Sequence, residues 1–213
     1  LMNILDCTLR DGGYYNKWDF DRNIVDRYLN SMKASLVDVV ELGFRSTAKN
    51  TFMGPYIYTT DDFIDQLNLP DGLIYGVMIN GKDFIKNTVN PYPKLNNLFQ
   101  NKEKSRITLV RIAINFNDVM KMRSVTDQIK DLGYMVGLNM MQAHGKSEKD
   151  YIGIAKRIAS WNVIDVLYFA DSLGNMNPEN VQKTCQALSK GWSGALGIHT
   201  HNNKNLALIN TIT

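Results

Sequence analysis

Cysteine and histidine are scarce in this 213-residue sequence, with two of the first and three of the second. Cys7 and Cys185 lie far apart without a Cys-x-x-Cys spacing, which argues against a disulfide framework and for reduced thiols in a cytoplasmic protein. No apolar run approaches the roughly 18 residues of a membrane span. The opening Leu1-Met2-Asn3-Ile4-Leu5-Asp6 lacks the charged and apolar regions of a signal peptide, so neither membrane insertion nor export is expected. An excess of one charge is also missing: 24 Lys and Arg face 21 Asp and Glu, a net +3, and the basic residues are scattered. That balance argues against a nucleic-acid or membrane-surface partner. There is no internal repeat, no low-complexity tract and no phosphate-loop pattern. What is present, 44% hydrophobic and 21% charged residues with 15 glycines, is the composition of an ordinary globular chain suited to small-molecule chemistry.

Short runs rich in Val, Ile and Leu recur at 2–8, 36–43, 73–79, 107–114, 135–141, 164–170 and 195–199, and predict seven strands. Segments with helical spacing lie between them, most clearly at 19–33, 117–132, 147–161 and 178–189. Asn117 and Ser147 suit helix caps, and Pro178 after Asn177 suits a first helical turn. The stretch 81–105 is the least regular and predicts a broken helix with a surface loop.

Alternating strands and helices imply a parallel sheet, either doubly wound or closed into a barrel. Side-chain parity in the first run puts Ile4, Asp6, Thr8 and Arg10 on one face, a half-polar face that a barrel lumen near its catalytic mouth tolerates. No Gly-x-Gly-x-x-Gly follows that run, which weakens the nucleotide-binding alternative. The expectation is an α/β chain, a (β/α)8 TIM barrel, in one domain spanning 1–213. Seven strands leave it incomplete, with an open edge to be closed by chain beyond Thr213 or by a neighbouring copy.

Two of the histidines form His199-Thr200-His201 at a strand end, where residues two apart point the same way. They read as a metal pair or as two hydrogen-bonded polar groups. Thr8-Leu9-Arg10-Asp11-Gly12-Gly13 reads as a catalytic segment or as a surface turn with a local ion pair. In a parallel barrel every strand delivers its C-terminal end to one rim, so Arg10, Asp11, His199 and His201 are expected at one mouth. One carboxylate and two imidazoles then make a three-ligand set with open positions. Asp171 and Ser172 end the sixth run at the same rim; Asp171 either steadies a ligand or Arg10, or serves the start of the next helix. Glu41 and Asn139 are polar intrusions in apolar runs, and line either the site or a structural network in the lumen.

These residues resemble a known family. Leu5-Asp6-Cys7-Thr8-Leu9-Arg10-Asp11-Gly12-Gly13 and Gly197-Ile198-His199-Thr200-His201-Asn202-Asn203 look like the two signatures of the metal-dependent TIM-barrel lyases and synthases related to hydroxymethylglutaryl-CoA lyase. Val40-Glu41-Leu42-Gly43-Phe44 and Asp171-Ser172-Leu173-Gly174 with Pro178 look like its second and sixth strands. The resemblance spans nearly the whole chain, and is nearest in look to the 4-hydroxy-2-oxovalerate aldolase branch.

The resemblance implies Mn2+ or Mg2+ bound by Asp11, His199 and His201, with Arg10 stabilising an enolate as a hydroxylated 2-oxo acid is cleaved. Glu41, Asn139, Asp171 and Ser172, read from their places in the runs, are expected on the substrate side of the site. A partner dehydrogenase accompanies the aldolase branch. Two departures stand out. Tyr14 occupies the position of that branch's histidine base, leaving His144 as a substitute, and Lys204 adds a charge after the histidine pair. Two other readings follow: a synthase condensing acyl-CoA with a 2-oxo acid, as in the isopropylmalate synthase branch, and a catalytically silent metal-binding barrel. A mononuclear iron oxygenase fits the ligand set formally, but neither Arg10 nor the barrel order favours it.

Overall fold

The computed structural model describes residues 3–47, 50–85 and 92–213, with only the backbone described for residue 92. Strands and helices alternate as β1 (Leu5–Asp6), α1 (Thr8–Asn16), α2 (Arg22–Ala34), β2 (Val39–Phe44), α3 (Asp61–Ile64), β3 (Ile74–Asn80), α4 (Lys82–Ile85), α5 (Tyr92–Asn96), β4 (Leu109–Asn115), α6 (Arg123–Asp131), β5 (Met135–Met141), α7 (Glu148–Ala159), β6 (Val166–Asp171), α8 (Pro178–Ser189), β7 (Ala195–Thr200) and α9 (Ala207–Ile212). Strand order follows chain order from β1 to β7. The pairs β1·β2, β2·β3, β5·β6 and β6·β7 are parallel. Parallel neighbours joined through helices define the (β/α)-barrel fold, here an incomplete one with seven strands among the described residues. Among the described residues, no helix is long and apolar enough to cross a membrane.

The chain divides into two compact units. The first comprises Leu1–Asn80, Val89–Arg111 and Gln128–Met135, and the second Gly81–Thr88, Ile112–Asp127 and Val136–Thr213. In the first, α2 buries Val25 and Leu29 while β2 buries Val40 and Leu42. In the second, register pairs Leu138 with Leu167 and aligns Phe169 with Met140 and Ile198, an apolar row on one face of the sheet. The opposite face of those strands carries Asn139, Tyr168 and Gly197 in one row, with Ala170 and His199 one step further along.

Capping explains the helix starts. Ser147 and Asp150 exchange side-chain and backbone hydrogen bonds at the head of α7, and Asn177 and Asn180 do so at α8, where Pro178 takes the first turn. Asp21 accepts from the amides of Asn23 and Ile24 to begin α2. Asn117 does not cap: Phe116–Met122 is a 3-10 turn that leads into α6, so the helix expected across 117–132 starts later.

The larger correction concerns the first strand. Extended structure is confined to Leu5–Asp6, and Thr8 to Asn16 are helical. Asp6 supplies the reason: its Oδ1 accepts the amide of Thr8 at 2.8 Å and also the hydroxyl of Tyr28, turning the chain directly into α1. Parity along a strand therefore does not extend to Thr8 and Arg10. Met2, counted in that run, lies outside the described residues, as do 86–91 of the irregular stretch, with α4 before them and α5 after them.

Arg45, 2% exposed, anchors the segment after β2. Its Nε donates to the carbonyl of Thr59 at 3.0 Å, and its terminal nitrogens donate to Asp61 at 2.8 and 3.3 Å and to the carbonyl of Leu98 at 3.2 Å. Ser105 completes the shell of Asp61 at 2.6 Å. Removing one partner of a buried pair strands the other charge. Arg45→Met is therefore expected to lower unfolding stability by about 3 kcal/mol, read as a drop in the urea midpoint, with Ser105→Ala costing only about 1 kcal/mol.

Candidate active site

The first unit assembles Arg10, Asp11 and Glu41. Glu41 is fully buried, and its two carboxylate oxygens accept from different arginines: Oε1 from Nε of Arg10 at 2.7 Å, and Oε2 from Arg111 at 3.0 Å. Another nitrogen of Arg10 donates to Asp11, whose side chain is 35% exposed. Positive and negative groups thus alternate from Arg111 through Glu41 and Arg10 to Asp11, the outermost carboxylate being the most accessible. Burial opposes the charge on Arg10, but Glu41 and Asp11 outweigh it and raise its pKa above the ordinary arginine value. Burial likewise pushes the Cys7 thiol up to about 12, with Arg10 opposing and Glu41 and Asp11 reinforcing the shift. Cys7 is therefore a neutral thiol near neutral pH.

A turn at the end of α1 holds Arg10 from behind. Lys17 and Trp18 take left-handed backbone angles, both φ 59°, and fold the indole of Trp18 back onto the helix. Its Nε1 donates to the carbonyl of Arg10 at 2.9 Å. Gly13 makes this approach feasible, since a Cβ there would sit 2.1 Å from the indole ring. Tyr14, 65% exposed, sets its ring edge-on to Trp18 and Phe44, with centroids at 4.7 and 6.3 Å. Its pKa is raised, chiefly by burial of part of the ring, with Arg10 lowering and Asp11 raising it. A phenol displaced in that direction keeps its proton at neutral pH and suits donation better than abstraction.

The second unit brings His199 and His201 together. Their Nε2 atoms are 3.2 Å apart, and the rings stand nearly perpendicular at 82°. The Nδ1 of His201 lies 3.0 Å from the carbonyl of Ser172, which can only accept, so Nδ1–H donates there and Nε2 is the ring nitrogen that faces His199. Two imidazole nitrogens this close lie within reach of one cation at an ordinary bond length of about 2.1 Å, which fits a divalent metal.

Asp171, fully buried, builds the loop behind His201. Its oxygens accept the amides of Asn175 at 2.9 Å and Met176 at 3.0 Å. That turn presents the Ser172 carbonyl to His201, while Ser172 Oγ accepts from the amide of Gln142 at 3.0 Å. Asn139 is 3% exposed, and its Oδ1 has no hydrogen-bond partner among the described residues. His144 is exposed and lines a groove of about 330 Å3 with Lys146, Tyr151, Asn180, Thr184 and Lys190. Lys204 is exposed.

Two residues went unread in the sequence. Arg111, a charge inside the apolar run Leu109–Ile114, carried the signal that drew attention to Glu41. Tyr168 carried none. Its ring lies 2.4 Å from where a Gly197 Cβ would stand, a fit that only strand register reveals.

The fold and these two groups describe a barrel-type catalytic scaffold with an arginine–carboxylate cluster and an imidazole pair. The HMGL-like family model matches residues 2–213, and the chain belongs to the HMGL-like family. It is 24% identical over 211 residues to a 4-hydroxy-2-oxovalerate aldolase of Geobacillus genomosp. 3, covering 99% of this chain and 60% of that protein. It is 21% identical over 212 residues to the oxaloacetate decarboxylase of Mycobacterium tuberculosis, covering 98% of this chain and 59% of that one. The chain thus spans about three fifths of these relatives' length. Among solved structures, it is similar to the N-terminal domain of a protein provisionally named an aldolase from Bacteroides vulgatus, at TM-score 0.87 and 30% identity over 99% of this chain and 68% of that one. The carboxyl transferase domain of Rhizobium etli pyruvate carboxylase shares the fold at TM-score 0.71 and 14% identity, covering 99% of this chain and 38% of that one.

Helix propensity alone makes Gly13→Ala stabilising by up to about 1 kcal/mol. The indole at 2.1 Å reverses the sign. The expected outcome is a loss of about 1–3 kcal/mol in urea unfolding, with a red-shifted emission from Trp18 as it leaves its pocket.

Proposed function

We propose that this chain is the catalytic barrel of a metal-dependent carbon–carbon lyase of the aldolase type, acting in the cytoplasm on a hydroxylated 2-oxo acid. The convergence of His199 and His201 Nε2 at 3.2 Å, in a member of the HMGL-like family, carries the reading. Asp11, His199 and His201 would hold Mn2+ or Mg2+. When bound, the ion supplies Lewis acidity toward a carbonyl and its neighbouring carboxylate.

This chain's own residues supply the rest. Arg10, held at Nε by Glu41 and at its carbonyl by Trp18, presents a fixed cation where an enolate oxygen gains charge, so its orientation is settled before reaction. Tyr14 keeps its proton and can deliver it or orient water. His144 is the second candidate for proton transfer, and its place on the exposed groove favours Tyr14 of the two. Asn139 Oδ1 offers an acceptor to a substrate hydroxyl or a water. Aldol cleavage and decarboxylation of a 2-oxo acid pass through the same enolate, so the names of the two curated relatives support one shared chemistry.

Turnover of a panel of hydroxylated 2-oxo acids with Mn2+, followed by pyruvate release, tests the reading. Free CoA formed from acyl-CoA plus a 2-oxo acid would favour the synthase, and no turnover with metal bound would favour a silent barrel. His199→Ala and His201→Ala are expected to lose tight Mn2+ binding by calorimetry; full occupancy in either would falsify the ligand assignment. Arg10→Lys keeps the charge but loses the planar fork, and is expected to lower kcat about 10²-fold with the fold intact.

A further inference from the structure

We propose that Arg111 is a positioning residue that keeps Arg10 oriented and electrostatically effective, acting through the buried carboxylate of Glu41. This rests on the role proposed above for Arg10. Arg111 is 1% exposed, so it is too deep to meet substrate itself. Its geometry points inward, to Glu41 Oε2 at 3.0 Å, while the other oxygen of the same carboxylate holds Arg10 at 2.7 Å. The register partner of Glu41 on β3 is Gly76, so no side chain stands at that position of the strand.

The charge arithmetic gives the arrangement its purpose. A carboxylate 2.7 Å behind Arg10 would, by itself, cancel much of the guanidinium's field at a reacting oxygen on the far side. A second arginine on that carboxylate neutralises it, so the Arg111–Glu41–Arg10 triad carries a net +1. Arg10 then gains the orienting hydrogen bond of Glu41 without that carboxylate cancelling its charge, which leaves Asp11, its other acidic partner, as the one carboxylate set against it. Stability is a weak explanation for the triad, because buried Arg–Glu–Arg clusters can often be replaced by apolar side chains at little or no cost.

The experiment compares Arg111→Met, Arg111→Lys, Glu41→Gln and the double variant Glu41→Gln/Arg111→Met, all with Mn2+ and checked for folding by circular dichroism. Arg111→Met is expected to lower kcat about tenfold or more with little change in KM, whereas Arg111→Lys keeps most of the activity. The double variant is expected to be faster than Arg111→Met alone, because the uncompensated carboxylate has gone with its partner. A merely structural Arg111 changes only the folded fraction, so that in kcat per folded molecule the order is different, with the double variant no faster than the single. That order, or an unchanged kcat in Arg111→Met, overturns the proposal. Arg111→Gln replaces Arg111→Met if the latter does not fold. Should the parent protein turn over no 2-oxo acid, the functional reading fails while Arg111 remains testable through the 15N Nε–H resonance of Arg10. A shift of that resonance in Arg111→Met supports the relay, and an unchanged resonance overturns it.

Discussion

A fully buried carboxylate with an arginine on each oxygen is the constraint around which the first unit is organised. Glu41 in β2 is tolerable only because both oxygens are satisfied by charged donors, and Arg10 and Arg111 are tolerable at depth for the same reason. The cluster joins the start of α1, the middle of β2 and the middle of β4, segments distant in sequence. It leaves Asp11, at the outer end of the row, as the carboxylate most open to solvent.

Glycines and backbone acceptors do comparable work elsewhere. Gly13 admits the indole that grips Arg10, and Gly197 admits the ring of Tyr168 one row beneath His199. Gly174, at φ 60°, turns the loop after β6 tightly against Asn203, where a Cβ would come within 2.9 Å. Asp171 closes that loop by accepting two amides, and the Ser172 carbonyl then selects the tautomer of His201. Imidazole chemistry in the second unit is therefore set by main-chain atoms of a neighbouring strand's loop.

Much of the fold was legible. The alternation of apolar runs with helical spacing located seven strands, and the caps at Ser147 and Asn177 marked two helices, because both signals are local. The first run misled, since Thr8, Leu9 and Arg10 continue its alternation while the Asp6 carboxylate accepts the Thr8 amide and turns the chain into a helix that starts there. In the second unit, Gly197 and His199 share one face of β7, because a strand's period of two is a property of the backbone itself.

The sequence by itself determined which residue types were available for chemistry and roughly where elements begin, because composition, periodicity and capping act over a few residues. Only the tertiary structure decided their partners. Glu41 could be read as facing the site or as part of an internal network, and the two arginines on its oxygens come from segments 31 and 70 positions away. Asp171 likewise appeared in sequence beside a hydroxyl at a strand end, but its oxygens are taken up by the amides of its own loop. Hydrogen bonds and ion pairs depend on distances of about 3 Å, and no pattern along the chain encodes which remote strands will bring two side chains that close.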